Sequence, residues 1–175
     1  LPKLLDALHG FRQARSSATD LPDLPGVHLE GPFISPDRLG AQPDFTVLPS
    51  EQLVGQLLEP DVIRVVTMSP ELPGALKAAI LFARAGVRVS LGHSTDDGSA
   101  SRQLLDGVRA SGGTVSFTHL FNAMGGIQAR SPGLAGTALL DGNSWAELIF
   151  DRQHVHDDVL RLALRCMGER LLFVT

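Results

Sequence analysis

Three residues in this sequence have the chemistry of metal ligands and share one kind of position. Glu30, His93 and His119 each close a short, apolar, β-type run. Two imidazole nitrogens and a carboxylate oxygen are a known ligand set for a catalytic zinc that keeps an open position for water. Alternation with a period of two puts His93 on a face with Leu91 and Val89, and His119 on a face with Phe117 and Val115. On that basis the three ligands could meet at one end of one sheet. A histidine at a strand end can also be a hydrogen-bonded core or rim residue, and spacing alone leaves both roles open. His28 shares a face with Glu30 about 6.6 Å deeper and reads as a packed residue that orients the carboxylate. His9, in a helical stretch without polar company, reads as surface.

The elements that must position these groups follow from hydrophobic periodicity. Strand patterns occupy residues 27–30, 62–68, 87–91, 114–119, 145–150 and 171–175. Helix patterns occupy 4–15, 50–58, 71–85, 99–110 and 157–168. Ser50 is placed to cap one helix, the Thr95-Asp96-Asp97 cluster another, and Gly86 to end a third. Cys166 falls within a helix pattern and reads as a small buried hydrophobe. Strands recur about every 29 residues, the size of a βα unit. An eight-fold barrel spends about 31 residues per unit. The spacing therefore fits either an open doubly wound sheet or six of the eight strands of a barrel. In a barrel, the C-terminal strand ends converge on one mouth, where such folds do their chemistry.

Composition narrows the function classes. The chain has 175 residues, 43% of them hydrophobic, and a net charge of −4, enough to bury a core and too acidic for a nucleic-acid or anionic-membrane surface. A single cysteine excludes a disulfide framework within the chain and any cysteine-rich zinc module. No apolar run approaches the roughly 20 residues that span a bilayer. Leu1-Pro2-Lys3 is neither a signal peptide nor an initiator-methionine start, and a cytoplasmic setting is expected.

At three motifs the sequence resembles a known family. Gly26-Val27-His28-Leu29-Glu30-Gly31-Pro32-Phe33, Ser90-Leu91-Gly92-His93-Ser94 and Thr118-His119-Leu120-Phe121-Asn122-Ala123-Met124 are similar to runs in the N-acetylglucosamine-6-phosphate deacetylases of the amidohydrolase superfamily. The likeness extends from about Gly26 to Thr175, with the motifs in the same order. It implies a partial (β/α)8 TIM barrel of the metal-dependent hydrolase type, with residues 1–175 as its central part. It implies Glu30, His93 and His119 as ligands of a divalent metal, zinc foremost. It further implies that Asn122, the Ala123 backbone, Arg130 and His154 contact the sugar phosphate, with Ala41 and Gln42 beside them. An exposed Arg130 guanidinium can fork onto phosphate oxygens, and Asn122 offers a donor and an acceptor next to a ligand. His156 reads as structural.

Two departures qualify the likeness. Where the family commonly has Gly-Ala-His, this chain reads Gly40-Ala41-Gln42, and Gln42 can bond a hydroxyl but cannot titrate. The family's general base is an aspartate directly after the strand matching 171–175, whereas the sequence ends at Thr175. The first barrel strand and a small β-domain are also expected to lie outside these residues, so the 175 residues alone are expected to be inactive. The implied activity is hydrolysis of N-acetylglucosamine 6-phosphate to glucosamine 6-phosphate and acetate, by a homodimer. The alternatives are an amidohydrolase for another N-acyl or cyclic amide substrate, Asp151 serving as the base, or a catalytically silent sugar-phosphate binder.

Overall fold

The structure, a computed structural model, describes residues 1–17 and 22–175. Helix α1 (Pro2–Ser17) leads into strand β1 (Val27–Glu30), and strands and helices then alternate: α2 (Glu51–Leu58), β2 (Ile63–Met68), α3 (Ala75–Arg84), β3 (Arg88–Leu91), α4 (Ser99–Ala110), β4 (Val115–Phe117), α5 (Gly133–Leu140), β5 (Trp145–Ile149), α6 (Asp157–Met167) and β6 (Leu171–Val174). All five strand pairings are parallel, and the order across the sheet is β1-β2-β3-β4-β5-β6. A doubly wound sheet reverses its order at a switch point. This one never reverses, so the architecture is the partial (β/α)8 barrel, with six of its eight strands.

The strand register separates two faces. Leu29, Val66, Val89 and Val115 pair in a row on one side, and Val66 and Val89 are fully buried beneath the helices. Phe82 and Ala79 of α3 and Leu104 and Val108 of α4 close that core. Glu30, Thr67, Ser90 and Ser116 pair in the row on the other side, which faces the lumen. Hydroxyls stitch this polar row together, with Thr118 Oγ1 at 2.7 Å from both Thr67 Oγ1 and Ser90 Oγ. The buried hydroxyls of Thr67, Ser90 and Thr118 so have partners, as buried polar groups require.

Several helix signals act as expected. Ser50 Oγ accepts from the Leu53 amide at 3.3 Å, and the Asp96 carboxylate accepts from Ala100 and Ser101 at 3.0 Å each. His156 caps α6 by accepting from the Asp158 amide, a structural role. Helix α3 begins at Ala75 rather than at residue 71. Pro73 and a left-handed Gly74 precede it, and a Cβ on Gly74 would stand 2.8 Å from the Pro49 carbonyl. Helix α5 had no periodic signal because seven of its eight residues are buried, leaving no polar stripe to read. Cys166 is exposed on α6, not buried as its helical pattern suggested, because Ala163 and Met167 take the inward positions. Among the described residues no helix is long and apolar enough to cross a membrane.

Phe82, fully buried against Phe33 at a ring-centroid distance of 6.3 Å, anchors the helix-side core. Phe82→Ala is expected to destabilise the fold by about 3–5 kcal/mol in urea unfolding; a loss below about 1 kcal/mol would contradict this packing.

Candidate metal centre

Because the strands are parallel, the C-terminal ends of β1, β3 and β4 open at one mouth. Glu30 is the last residue of β1, while His93 and His119 each lie two residues beyond their strands. Simple alternation would fail here: Val89, Leu91, Val115 and Phe117 belong to the helix side, opposite Glu30. What brings the imidazoles around is the backbone, which is left-handed at both His93 (φ 50°) and His119 (φ 34°). The sequence-based expectation that the three meet is met, but through these turns and not through strand period.

The three ligating atoms lie within 4.8 Å of one another. His93 Nε2 is 2.5 Å from Glu30 Oε1, His119 Nε2 is 3.2 Å from the same oxygen, and the two Nε2 atoms are 2.9 Å apart. His93 Nδ1 donates to the Arg38 carbonyl at 2.7 Å, so in the neutral ring Nε2 is a bare lone pair. That lone pair faces a carboxylate oxygen and a second imidazole nitrogen, an arrangement that needs a metal ion or shared protons among them. Two nitrogens and one oxygen suit a borderline divalent metal, and the residues present fit one. Without a metal, protons hold the site together. Hydrogen bonds from His119 and then His93 push the Glu30 carboxyl far below its usual range against the effect of burial. Burial works to lower the His119 value, but the Glu30 carboxylate outweighs it and leaves that imidazole raised. His119 Nδ1 is buried with no protein partner.

His93 is tied down from several sides. Its carbonyl accepts from the Ser35 amide at 3.0 Å and from Ser69 Oγ. Glu71, just past β2, accepts from Ser94 Oγ and the Thr95 amide at 2.7 Å each and so fixes the loop that follows. In the sequence, Glu71 carries no signal beyond being a carboxylate three residues past a barrel strand. His28 does not orient Glu30. Its Nε2 is 2.7 Å from Thr67 Oγ1 and its Nδ1 is 3.8 Å from Glu147, deeper in the lumen. His9 pairs with Glu59 at 3.3 Å on the surface.

The remaining candidates lie on loops beyond the strand ends. Asn122 and Ala123 sit on the turn after His119, where Phe121 and Ala123 are also left-handed. The Ala123 carbonyl accepts from the Ser94 amide at 3.0 Å, joining this turn to the His93 loop. Gly40 (φ 58°) packs over both: a Cβ there would be 3.5 Å from His93 Cε1 and 3.6 Å from Ala123 Cβ. Gln42 and Glu30 line one cavity of about 620 Å³, together with Leu29, Pro43, Phe45 and Val47, while Ala41 is exposed and not among its lining residues. Arg130 is exposed and forms no ion pair among the described residues. His154 is exposed on the loop after β5, where its Nδ1 meets Asp151. Asp151 accepts from three donors and is held down to about 2, which ill suits it to act as a base.

Comparison with known proteins gives this site a context. No family model matches the sequence. The N-acetylglucosamine-6-phosphate deacetylase of Lysinibacillus sphaericus is 36% identical over 156 residues, covering 87% of this chain and 39% of that protein. The N-acetylgalactosamine-6-phosphate deacetylase of Escherichia coli O157:H7 is 34% identical over 155 residues, covering 86% and 39%. The crystal structure of N-acetyl-D-glucosamine-6-phosphate deacetylase from Mycobacterium smegmatis superposes with a TM-score of 0.87 at 34% identity, over 98% of this chain and 44% of its own. The chain resembles a segment of the N-acetylglucosamine-6-phosphate deacetylases. It spans about two fifths of the length of these curated deacetylases. The M. smegmatis deacetylase has also been crystallised, as a variant, in complex with N-acetyl-D-glucosamine-6-phosphate.

Opposite shifts at Glu30 and His119 set a pH window for the metal-free protein. The lowered carboxyl contributes stability above its ordinary value of 4.5, which is lost as pH falls through its folded value. The raised imidazole contributes stability below its ordinary 6.5, which is lost as pH rises through its folded value. The pair therefore stabilises most between these two values. Zinc should move the gain in thermal midpoint to higher pH, with zinc affinity falling about tenfold for each unit that pH drops below the folded His119 value, where one proton is displaced. Competition titrations at several pH values read this directly; a pH-independent affinity would contradict the protonated His119.

Proposed function

We propose that this chain carries the metal-binding centre and most of the substrate contacts of a metal-dependent deacetylase that hydrolyses N-acetylglucosamine 6-phosphate to glucosamine 6-phosphate and acetate. The observation that supports it is the convergence of Glu30, His93 and His119 at the C-terminal mouth of a partial barrel. A divalent metal there, zinc by the fit of its ligands, supplies a Lewis acid that lowers the pKa of water and polarises an acyl carbonyl. Arg130 receives the phosphate with its planar fork, Asn122 and the Ala123 amide bond the sugar, Gln42 takes a hydroxyl, and His154 closes the far side. Arg130, exposed and without an ion pair among the described residues, and the left-handed turn at Ala123 suit these roles.

The acid–base group is proposed to follow Thr175. Glu30 is committed to the metal and Asp151 to His154, whereas β6 runs parallel to β1 and delivers its next residue to the same mouth. A carboxylate there takes a proton from water and returns it to the leaving amine as the C–N bond breaks. Residues 1–175 are thus the central part of the barrel, with the first strand and a small β-domain supplied by the longer protein. A homodimer in the cytoplasm completes the proposal. The relative that acts on the galactosamine isomer supports a second reading, in which the sugar accepted is the epimer.

Zinc titration should give one ion per chain, lost in Glu30→Gln. Retained stoichiometric zinc in that variant would overturn the ligand set. Arg130→Ala should weaken binding of N-acetylglucosamine 6-phosphate about tenfold or more and leave the unphosphorylated sugar unaffected. Equal losses for both sugars would remove Arg130 from the phosphate. Acetate release by the 175-residue polypeptide should not exceed background; turnover would place the base within these residues.

A further inference from the structure

The loop after β5 holds an imidazole–carboxylate pair at the same end of the sheet as Glu30, His93 and His119. Asp151 Oδ1 accepts from the Gln153 amide at 2.8 Å and the His154 amide at 2.9 Å, and Oδ2 is 2.7 Å from His154 Nδ1. Between them Arg152 is left-handed at φ 62°, a conformation that a side-chain-bearing residue keeps only where its surroundings over-determine it.

We propose that Asp151 is a positioning residue that holds His154 in its Nδ1–H form and presents the Nε2 lone pair to the mouth as an acceptor for a sugar hydroxyl. An ionised carboxylate can only accept, so the ring nitrogen facing it must donate, and the neutral ring is left with a bare Nε2. The three donors on Asp151 keep it ionised and prevent the pair from turning independently. An outward lone pair repels phosphate oxygens and welcomes a hydroxyl hydrogen. The phosphate therefore falls to Arg130, while His154 reads the hydroxyl pattern of the sugar. This assignment rests on the proposal above that His154 contacts the sugar phosphate, and it says which part of the ligand is contacted.

The test is long-range proton–nitrogen correlation of the histidine rings in the full 175-residue chain, at a pH of about 8.5, where an ordinary imidazole is neutral. Wild-type His154 is expected in the Nδ1–H form. In Asp151→Asn the amide oxygen must serve the two backbone donors, so the NH2 faces Nδ1 and the ring should invert to Nε2–H. Asp151→Ala should relax to the Nε2–H form that free histidine prefers in water. A His154 that stays Nδ1–H in both variants overturns the proposal. Titration with N-acetylglucosamine 6-phosphate should show Asp151→Asn and His154→Ala each weakening binding about three- to tenfold, the worth of one hydrogen bond. Weakening by His154→Ala but not by Asp151→Asn also overturns the proposal. No effect of His154→Ala overturns the underlying sugar contact instead, so the two failures are distinguishable.

Discussion

Two imidazole nitrogens and a carboxylate oxygen cannot share a few ångströms of space unless protons or a metal ion lie among them. The structure nevertheless forces that proximity. Left-handed turns at His93 and His119 swing the rings to the lumen side, and Glu30 meets them from the end of β1. The Arg38 carbonyl, Ser35, Ser69 and Glu71 stop the His93 loop from relaxing away. Beneath, the linked hydroxyls of Thr67, Ser90 and Thr118 give the lumen a floor that tolerates charge above it. The barrel scaffold thus keeps in place an arrangement that protons or a metal ion must bridge, which is what pre-organisation of a metal site requires.

Much of this was legible in the sequence, for reasons tied to particular elements. Each of the six strands is a short β-rich run bounded by turn residues, and all six lie where the periodicity put them, within one or two residues at each end. Helices α2, α4 and α6 announce themselves by amphipathic stripes and capping groups. Helix α5 could not, since burial on all sides removes the polar stripe. The ligand trio was visible as residue types at strand ends, but its geometry was not, because a backbone turn at φ > 0 outside glycine leaves no mark on hydrophobic periodicity. The same limit hid the partners of His28: facing Glu147 rather than Glu30 depends on side-chain direction across strands far apart in sequence.

The substrate side is built differently from the metal side. Glu30 stands on a strand end, and His93 and His119 on tight turns two residues past theirs. The candidate sugar contacts stand on loops, at Gln42, Asn122, Ala123, Arg130 and His154, which is how barrels separate a conserved chemistry from an adjustable specificity. Those loops are not independent, however. Gly40 packs against both His93 and Ala123, and the Ser94 amide bonds the Ala123 carbonyl. The candidate metal centre and the loops that carry the candidate sugar contacts are mechanically joined through these two contacts.

The strictly sequential order of the sheet also has a kinetic consequence. Every strand pairs with the one made just before it, so each pairing closes a loop of only one βα unit, and structure can grow unit by unit as the chain lengthens. The metal centre obeys a different rule. It joins Glu30 to His119 across 89 positions, spanning four strands. It can assemble only after the intervening units have settled into register, which makes closure of this side-chain cluster a late event in folding.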